Sequence, residues 1–172
     1  SEKEKILEEI REVLKRILDR LKKELEDDKK SLDDNKRRTE EALREDKKSL
    51  EEIRRANVRE DEVKKLLEDN KRRNEEVRKR SEDDLKKNKE RNERLAEELK
   101  KEVDKLREDI ERANLDDKIL RDLEKALDKL RRDIEEILKR SRDLNKKLED
   151  DNREALRRSE ELNRELEERE RK

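Results

Sequence analysis

The apolar residues of this chain fall in narrow stripes with steps of three and four residues, the spacing that lines up side chains on one face of an α-helix. The middle third shows the pattern best: Val63, Leu67, Asn70, Asn74, Val77, Ser81, Leu85, Asn88, Asn92, Leu95, Leu99, Val103, Leu106 and Ile110. Polar residues stand in phase with the leucines, and the pattern returns every 18 residues. Val63, Ser81 and Leu99 are equivalent, as are Asn70 with Asn88 and Asn74 with Asn92. An α-helix at 3.6 residues per turn completes five turns in that interval, so each position comes back to the same side. The last third repeats the device with Leu123, Ser141 and Ser159, with Leu127, Asn145 and Asn163, and with Leu130, Leu148 and Leu166. The first third opens on a wide aliphatic stripe from Ile6 to Leu25. It continues as a half-polar seam through Asp28, Leu32, Asn35, Thr39, Leu43, Asp46, Leu50 and Ile53.

Two near-copied breaks divide the stripes, Arg55-Ala56-Asn57-Val58-Arg59 and Arg112-Ala113-Asn114-Leu115-Asp116. Asn tolerates the left-handed conformation that ends helices, so Asn57 and Asn114 are the expected C-terminal caps. Val58 with Val63, and Leu115 with Leu120, have the spacing of a hydrophobic staple on the helix that follows. Ser1-x-x-Glu4 reads as a capping box at the start, and Asp116 is a good N-cap. Connections this short turn consecutive helices antiparallel. The expectation is one all-α domain over 1–172, an up-down-up antiparallel three-helix bundle. Its helices cover about 2–56, 59–113 and 116–171. Because 18 residues match the straight helix, the rods should be nearly untwisted, and at about 54 residues roughly 80 Å long.

Antiparallel hairpins at Asn57 and Asn114 set an approximate register, which brings polar seam positions to common heights. Asp28 falls near Asn88 and near Ser141 or Asn145; Asn35 falls near Ser81; Thr39 falls near Asn74 and Asn152. Asp46 falls near Asn70 and Ser159, with Asn92 and Asn163 on the same seams. Leu32, Leu85 and Leu148 make one leucine layer between them, and Leu50, Leu67 and Leu162 or Leu166 another. Buried polar groups are tolerated when fully hydrogen-bonded, and such networks specify register. The candidate network is therefore Asp28, Asn35, Thr39, Asp46, Asn70, Asn74, Ser81, Asn88, Asn92, Ser141, Asn145, Asn152, Ser159 and Asn163. Solvated helix faces are the plainer reading of the same residues, but the seam phase favours the interior.

Composition narrows the chemistry. Of 172 residues, 65% are charged, 55 basic against 56 acidic, and Gly, Pro, Cys, Met, His, Phe, Tyr and Trp are absent. Without Gly and Pro there is little to punctuate strands or tight turns. An apolar fraction of 26% invites a disorder assignment, which the periodic stripes argue against. Lacking His and Cys, the chain has no imidazole base, thiol nucleophile or zinc-type site; lacking Gly, it has no phosphate-cradling loop. Acidic pairs such as Asp33-Asp34 and Asp83-Asp84 have Lys and Arg three and four residues away, the mark of a solvated face. Basic runs such as Lys71-Arg72-Arg73 are hemmed by acids and have no aromatic stacking partners, which argues against nucleic acid. No apolar run approaches a membrane span and no targeting signal is visible. The expectation is a soluble chain suited to recombinant cytoplasmic expression, with no catalytic, metal or cofactor site. Its partner is itself or none, whether monomer or homo-oligomer; nucleic acid, membrane and small-molecule ligands are not expected.

Three equal helices, 18-residue layers, copied connections, a Ser-Glu-Lys-Glu-Lys start and Asn/Ser-rich seams resemble computationally designed helical bundles with buried hydrogen-bond networks. The resemblance covers the whole chain, but it is to a style of sequence with no site residues to carry over. It implies a scaffold without natural biochemical activity, whose polar layers specify register and association. The alternatives are a homo-oligomerisation module, with small residues such as Ser31, Ser49, Ala42 and Ala155 flanking the seams, and a module that accepts a further helix along stripes such as Leu144, Leu148, Leu162 and Leu166.

Overall fold

The computed structural model describes residues 1–55 and 57–171. Helix α1 runs Glu2–Arg55, α2 Glu60–Arg112 and α3 Asp117–Arg171, and the described residues contain no strand. The three helices pack as a three-helix bundle. Each end follows from its local residues. At the start of α1 the Glu4 amide donates to Ser1 Oγ at 3.4 Å, while the Glu4 carboxylate reaches back to the Ser1 ammonium at 3.6 Å. That reciprocal pair satisfies N–H groups that have no partner inside the helix. Between α2 and α3, Asn114 takes φ 49°, the left-handed cap, and the Ala113 amide is shared between the carbonyls of Asp109 and Ile110. Leu115 is buried behind it, and the Leu120 amide donates to the Asp116 carbonyl at 2.9 Å to begin α3. At the first connection Ala56 lies outside the described residues, and with it the end of helix 1 at 56 and the cap conformation at Asn57. Beyond it the Val63 amide donates to the Arg59 carbonyl at 3.0 Å, and Val63 is buried.

The chain forms two compact units, each drawing a segment from all three helices. Unit 1 comprises Ser1–Lys29 and Asn88–Leu144. The start of α1 meets the end of α2 there, so these helices run antiparallel within it. Its core is aliphatic: Ile10, Ile17 and Leu21 of α1, Leu95, Leu99, Val103, Leu106 and Ile110 of α2, and Leu127 and Leu130 of α3. At about 1.5–3 kcal/mol for each buried side chain, this stack is the main source of stability in the unit.

Unit 2 comprises Lys30–Lys87 and Asn145–Lys172. Its largest purely apolar cluster is smaller, Leu50, Leu67 and Leu166 with Ile53 and Leu162 against them. Leu32 and Leu148 are buried as well. Leu85, expected beside them, is only half-buried and lines an open groove. Much of the interior of this unit is polar.

Candidate functional site

The most distinctive chemistry inside each unit is a buried aspartate on α1 clasped by α2 and faced by a serine on α3. In unit 1, Asp28 is 1% exposed. Arg91 Nη2 donates to Asp28 Oδ1 at 2.7 Å, and Arg91 Nε donates to Glu24 Oε1 at 2.8 Å. Burial pushes the Asp28 carboxyl up to about 6 from the ordinary 3.8. Ser141, Arg91 and Asn92 pull it back down, and the Glu24 charge adds to the rise. Ser141 Oγ is wholly buried and makes no hydrogen bond of good geometry, although it faces Asp28 closely enough to favour the carboxylate. For Arg91, burial opposes the charged form, but Glu24 and Asp28 outweigh it and raise its affinity for the proton.

Unit 2 holds the same arrangement. Asn74 Nδ2 donates to Asp46 Oδ2 at 3.1 Å, Arg73 Nη1 lies 3.5 Å from Asp46 Oδ1, and Ser159 faces the carboxyl from α3. Burial again raises the proton affinity, against Asn74, Ser159 and Arg73. Each member stands 18 residues from its counterpart: Asp28 and Asp46, Arg91-Asn92 and Arg73-Asn74, Ser141 and Ser159. One layer is written twice.

Two further clusters in unit 2 use neutral groups. Ser81 Oγ donates to Asn35 Oδ1 at 2.7 Å, and Asn35 Nδ2 donates to Asn152 Oδ1, so one buried amide links all three helices. Asn70 Nδ2 donates to Asn163 Oδ1 at 3.3 Å, while Asn70 Oδ1 accepts from Ser49 Oγ at 3.1 Å and from Arg73 Nη1 at 3.2 Å. Asn88 and Asn145 are buried and engaged. Thr39 takes no part between helices, because its hydroxyl donates to the Lys36 carbonyl of its own helix at 3.0 Å. Asp46 meets Asn74 rather than Asn70, one turn further along α2. The hairpin turns beyond Asn57, since α2 begins only at Glu60.

Arg91, Arg73, Glu24 and Ser49 also join these layers although they stand beside the seam positions, and Arg38 Nη2 pairs with Asp84 Oδ2 at 2.9 Å. The arginines did leave a signal, since Arg-Asn occurs at 73–74 and again at 91–92. An arginine beside a seam amide can fold inward along its aliphatic stem and offer its donors to a buried carboxylate.

Of the fourteen seam residues, eleven are buried, and Thr39, Asn74 and Asn152 are half-buried. Those three border an open groove between α2 and α3 of unit 2, about 310 Å³ in volume. Among the described residues no group of His, Cys, Asp or Glu is placed to hold a metal ion, and no helix is long and apolar enough to cross a membrane. The aspartates are wrapped by donors of their own chain, an arrangement that holds helices together and leaves little access for a substrate.

No family model matches the chain, and no curated protein is similar to it. Among solved structures it is similar to a computationally designed three helix bundle, with a TM-score of 0.55 and 19% identity, over 97% of this chain and 83% of that one. That likeness shows the fold.

Proposed function

We propose that this chain is a designed structural scaffold with no enzymatic activity, in which buried polar layers fix the register of three helices within a single domain. The duplicated Asp, Arg-Asn and Ser layer carries the reading. Leucine layers accept neighbours at several heights, whereas a layer that draws on three helices is satisfied at one. A slip by a turn would strand buried amides and carboxylates, at about 1–3 kcal/mol for each unsatisfied group. The 18-residue recurrence, the copied connections and the neighbour described as computationally designed support an origin in design. Homo-oligomerisation has less support, because donors and acceptors of these layers meet within one chain.

The test replaces both layers with leucine: Asp28, Asn92 and Ser141 together with Asp46, Asn74 and Ser159. The thermal midpoint should hold or rise, since apolar replacement of a buried polar cluster is often neutral or stabilising. Uniqueness should fail, seen as several sets of amide resonances or a spread of solution masses. A single set of resonances with an unchanged mass would overturn the register role.

A further inference from the structure

In unit 2 the groove between α2 and α3 is apolar at its base. Val77 and Leu85 of α2 and Ala155 and Leu156 of α3 are half-exposed along it, with Ala42 of α1 buried beneath. It follows α2 from Asn74 to Leu85, about 16 Å at 1.5 Å per residue, or three helical turns.

The polar layers are open on this side. Asn74 spends its amide N–H on Asp46, and Asn152 spends its carbonyl oxygen on Asn35. The Asn74 side-chain oxygen and the Asn152 amide group find no hydrogen-bond partner among the described residues and border the groove. These are the two seam amides bonded between helices that are not fully buried, which is how a layer looks when one of its contributors is missing.

The walls carry ordered charge. The hydrogen bond from Asn70 to Asn163 fixes the heights of antiparallel α2 and α3. Arg78 therefore stands about level with Arg153 near the middle of the groove, and Glu82 with Glu149 toward its Leu85 end. Each wall also pairs its own charges, Arg78 with Glu82 and Arg153 with Glu149.

We propose that this groove docks a fourth helix from a separate partner chain. The partner is amphipathic and about three turns long, with an aliphatic face that carries one amide or hydroxyl side chain at the height of Asn74 and another about two turns on, at the height of Asn152. Acidic residues flank that face beside Arg78 and Arg153, and basic residues flank it beside Glu82 and Glu149. A helix laid in a groove fits three turns of concave, half-apolar surface. A second copy of this chain fits poorly. None of its described large hydrophobic residues is exposed, so it presents no apolar ridge to fill the groove.

The test titrates the full chain into a fluorescein-labelled synthetic peptide of about 18 residues, long enough to hold a helix. Its face carries Leu at steps of three and four around two Asn about seven residues apart, with Glu flanking its middle and Lys flanking the end that meets Leu85. Anisotropy should rise to saturation. Ala155→Arg, which fills the groove, and Leu156→Glu, which charges it, should each weaken binding at least about tenfold while helical circular dichroism is kept. Ala155 is half-exposed, so that variant tests the groove even if Leu156→Glu unfolds. No saturable binding, or equal binding by Ala155→Arg, would overturn the proposal. So would a doubling of the chain's own mass that Ala155→Arg abolishes, which would assign the groove to a second copy.

Discussion

Burial raises the proton affinity of Asp28, and the sign of that shift sets how stability responds to pH. Its carboxyl titrates near 6 in the folded chain against 3.8 in the ordinary state, so the folded state binds its proton more tightly than the unfolded state does. The stability this contributes is complete below about pH 4 and is lost as pH rises through about 6. Two pKa units correspond to about 3 kcal/mol, and Asp46 shifts in the same direction. Asn at position 28 keeps hydrogen-bonding capacity without the charge, and Arg91 retains Glu24. Urea unfolding at pH 5 and pH 8 should therefore show wild-type losing stability at the higher pH. Asp28→Asn should be the more stable protein at pH 8, by about 1–3 kcal/mol, with a flatter response. Equal pH responses in the two proteins would mean that other carboxylates set the slope.

At the scale of the elements, the caps and polar seams follow from residue type and phase, and the sequence carries both. Asn114 shows the cap most directly. Its φ of 49° is reached easily by Gly, tolerably by Asn, and at a cost of about 1–2 kcal/mol by other residues. Asn114→Ala should lower the unfolding free energy by about 1 kcal/mol, and Asn114→Gly should match or exceed wild-type; thermal melts of the three proteins at one pH decide it. A loss in both variants would place the contribution in the Asn side chain rather than in the backbone. The polar seam was readable because Asn, Ser and Asp recur in the phase of Leu at 18-residue steps. Its pairings were readable only to about one turn, since the height at which two helices meet depends on where a hairpin turns, as Asp46 and Asn74 show. Arg73 and Arg91 were hidden by composition: in a chain that is 65% charged, an arginine beside a seam resembles its solvated neighbours unless its inward partner is known. The place of the groove was not legible: the stripe expected to accept a further helix runs through Leu148 and Leu166, which are buried, while the groove lies elsewhere. Val77, Leu85 and Leu156 have the phase of core residues, and whether three stripes close over them depends on the spacing between helices.

For the molecule as a whole, the balance between a satisfied interior and a charged exterior decides its assembly. The chain carries 55 basic and 56 acidic side chains, most of them outside the core and many joined as intrahelical pairs such as Arg78 with Glu82 and Arg157 with Glu161. Exposed pairs of this kind contribute about 0–1 kcal/mol each, so they keep the surface wet without giving another copy a strong handle. A stable dimer would need a contiguous apolar patch in its interface core. The described residues offer half-exposed leucines in one groove and no exposed large hydrophobic side chain. Most buried donors and acceptors of the polar layers meet partners inside one chain, Ser141 Oγ being an exception, so a second chain has few unmet hydrogen bonds to complete. Light scattering on a sizing column should accordingly give a mass near 21.2 kDa over a wide concentration range. The mass should be the same at low and high salt, because exposed charge pairs are largely screened at high ionic strength and contribute little to association in either condition. A constant multiple of 21.2 kDa would show that polar layers bond between chains as well as within them, and the scaffold would then be an assembly module. A mass that climbs only with concentration would instead trace association to the apolar groove of unit 2, and Ala155→Arg would restore the single-chain value.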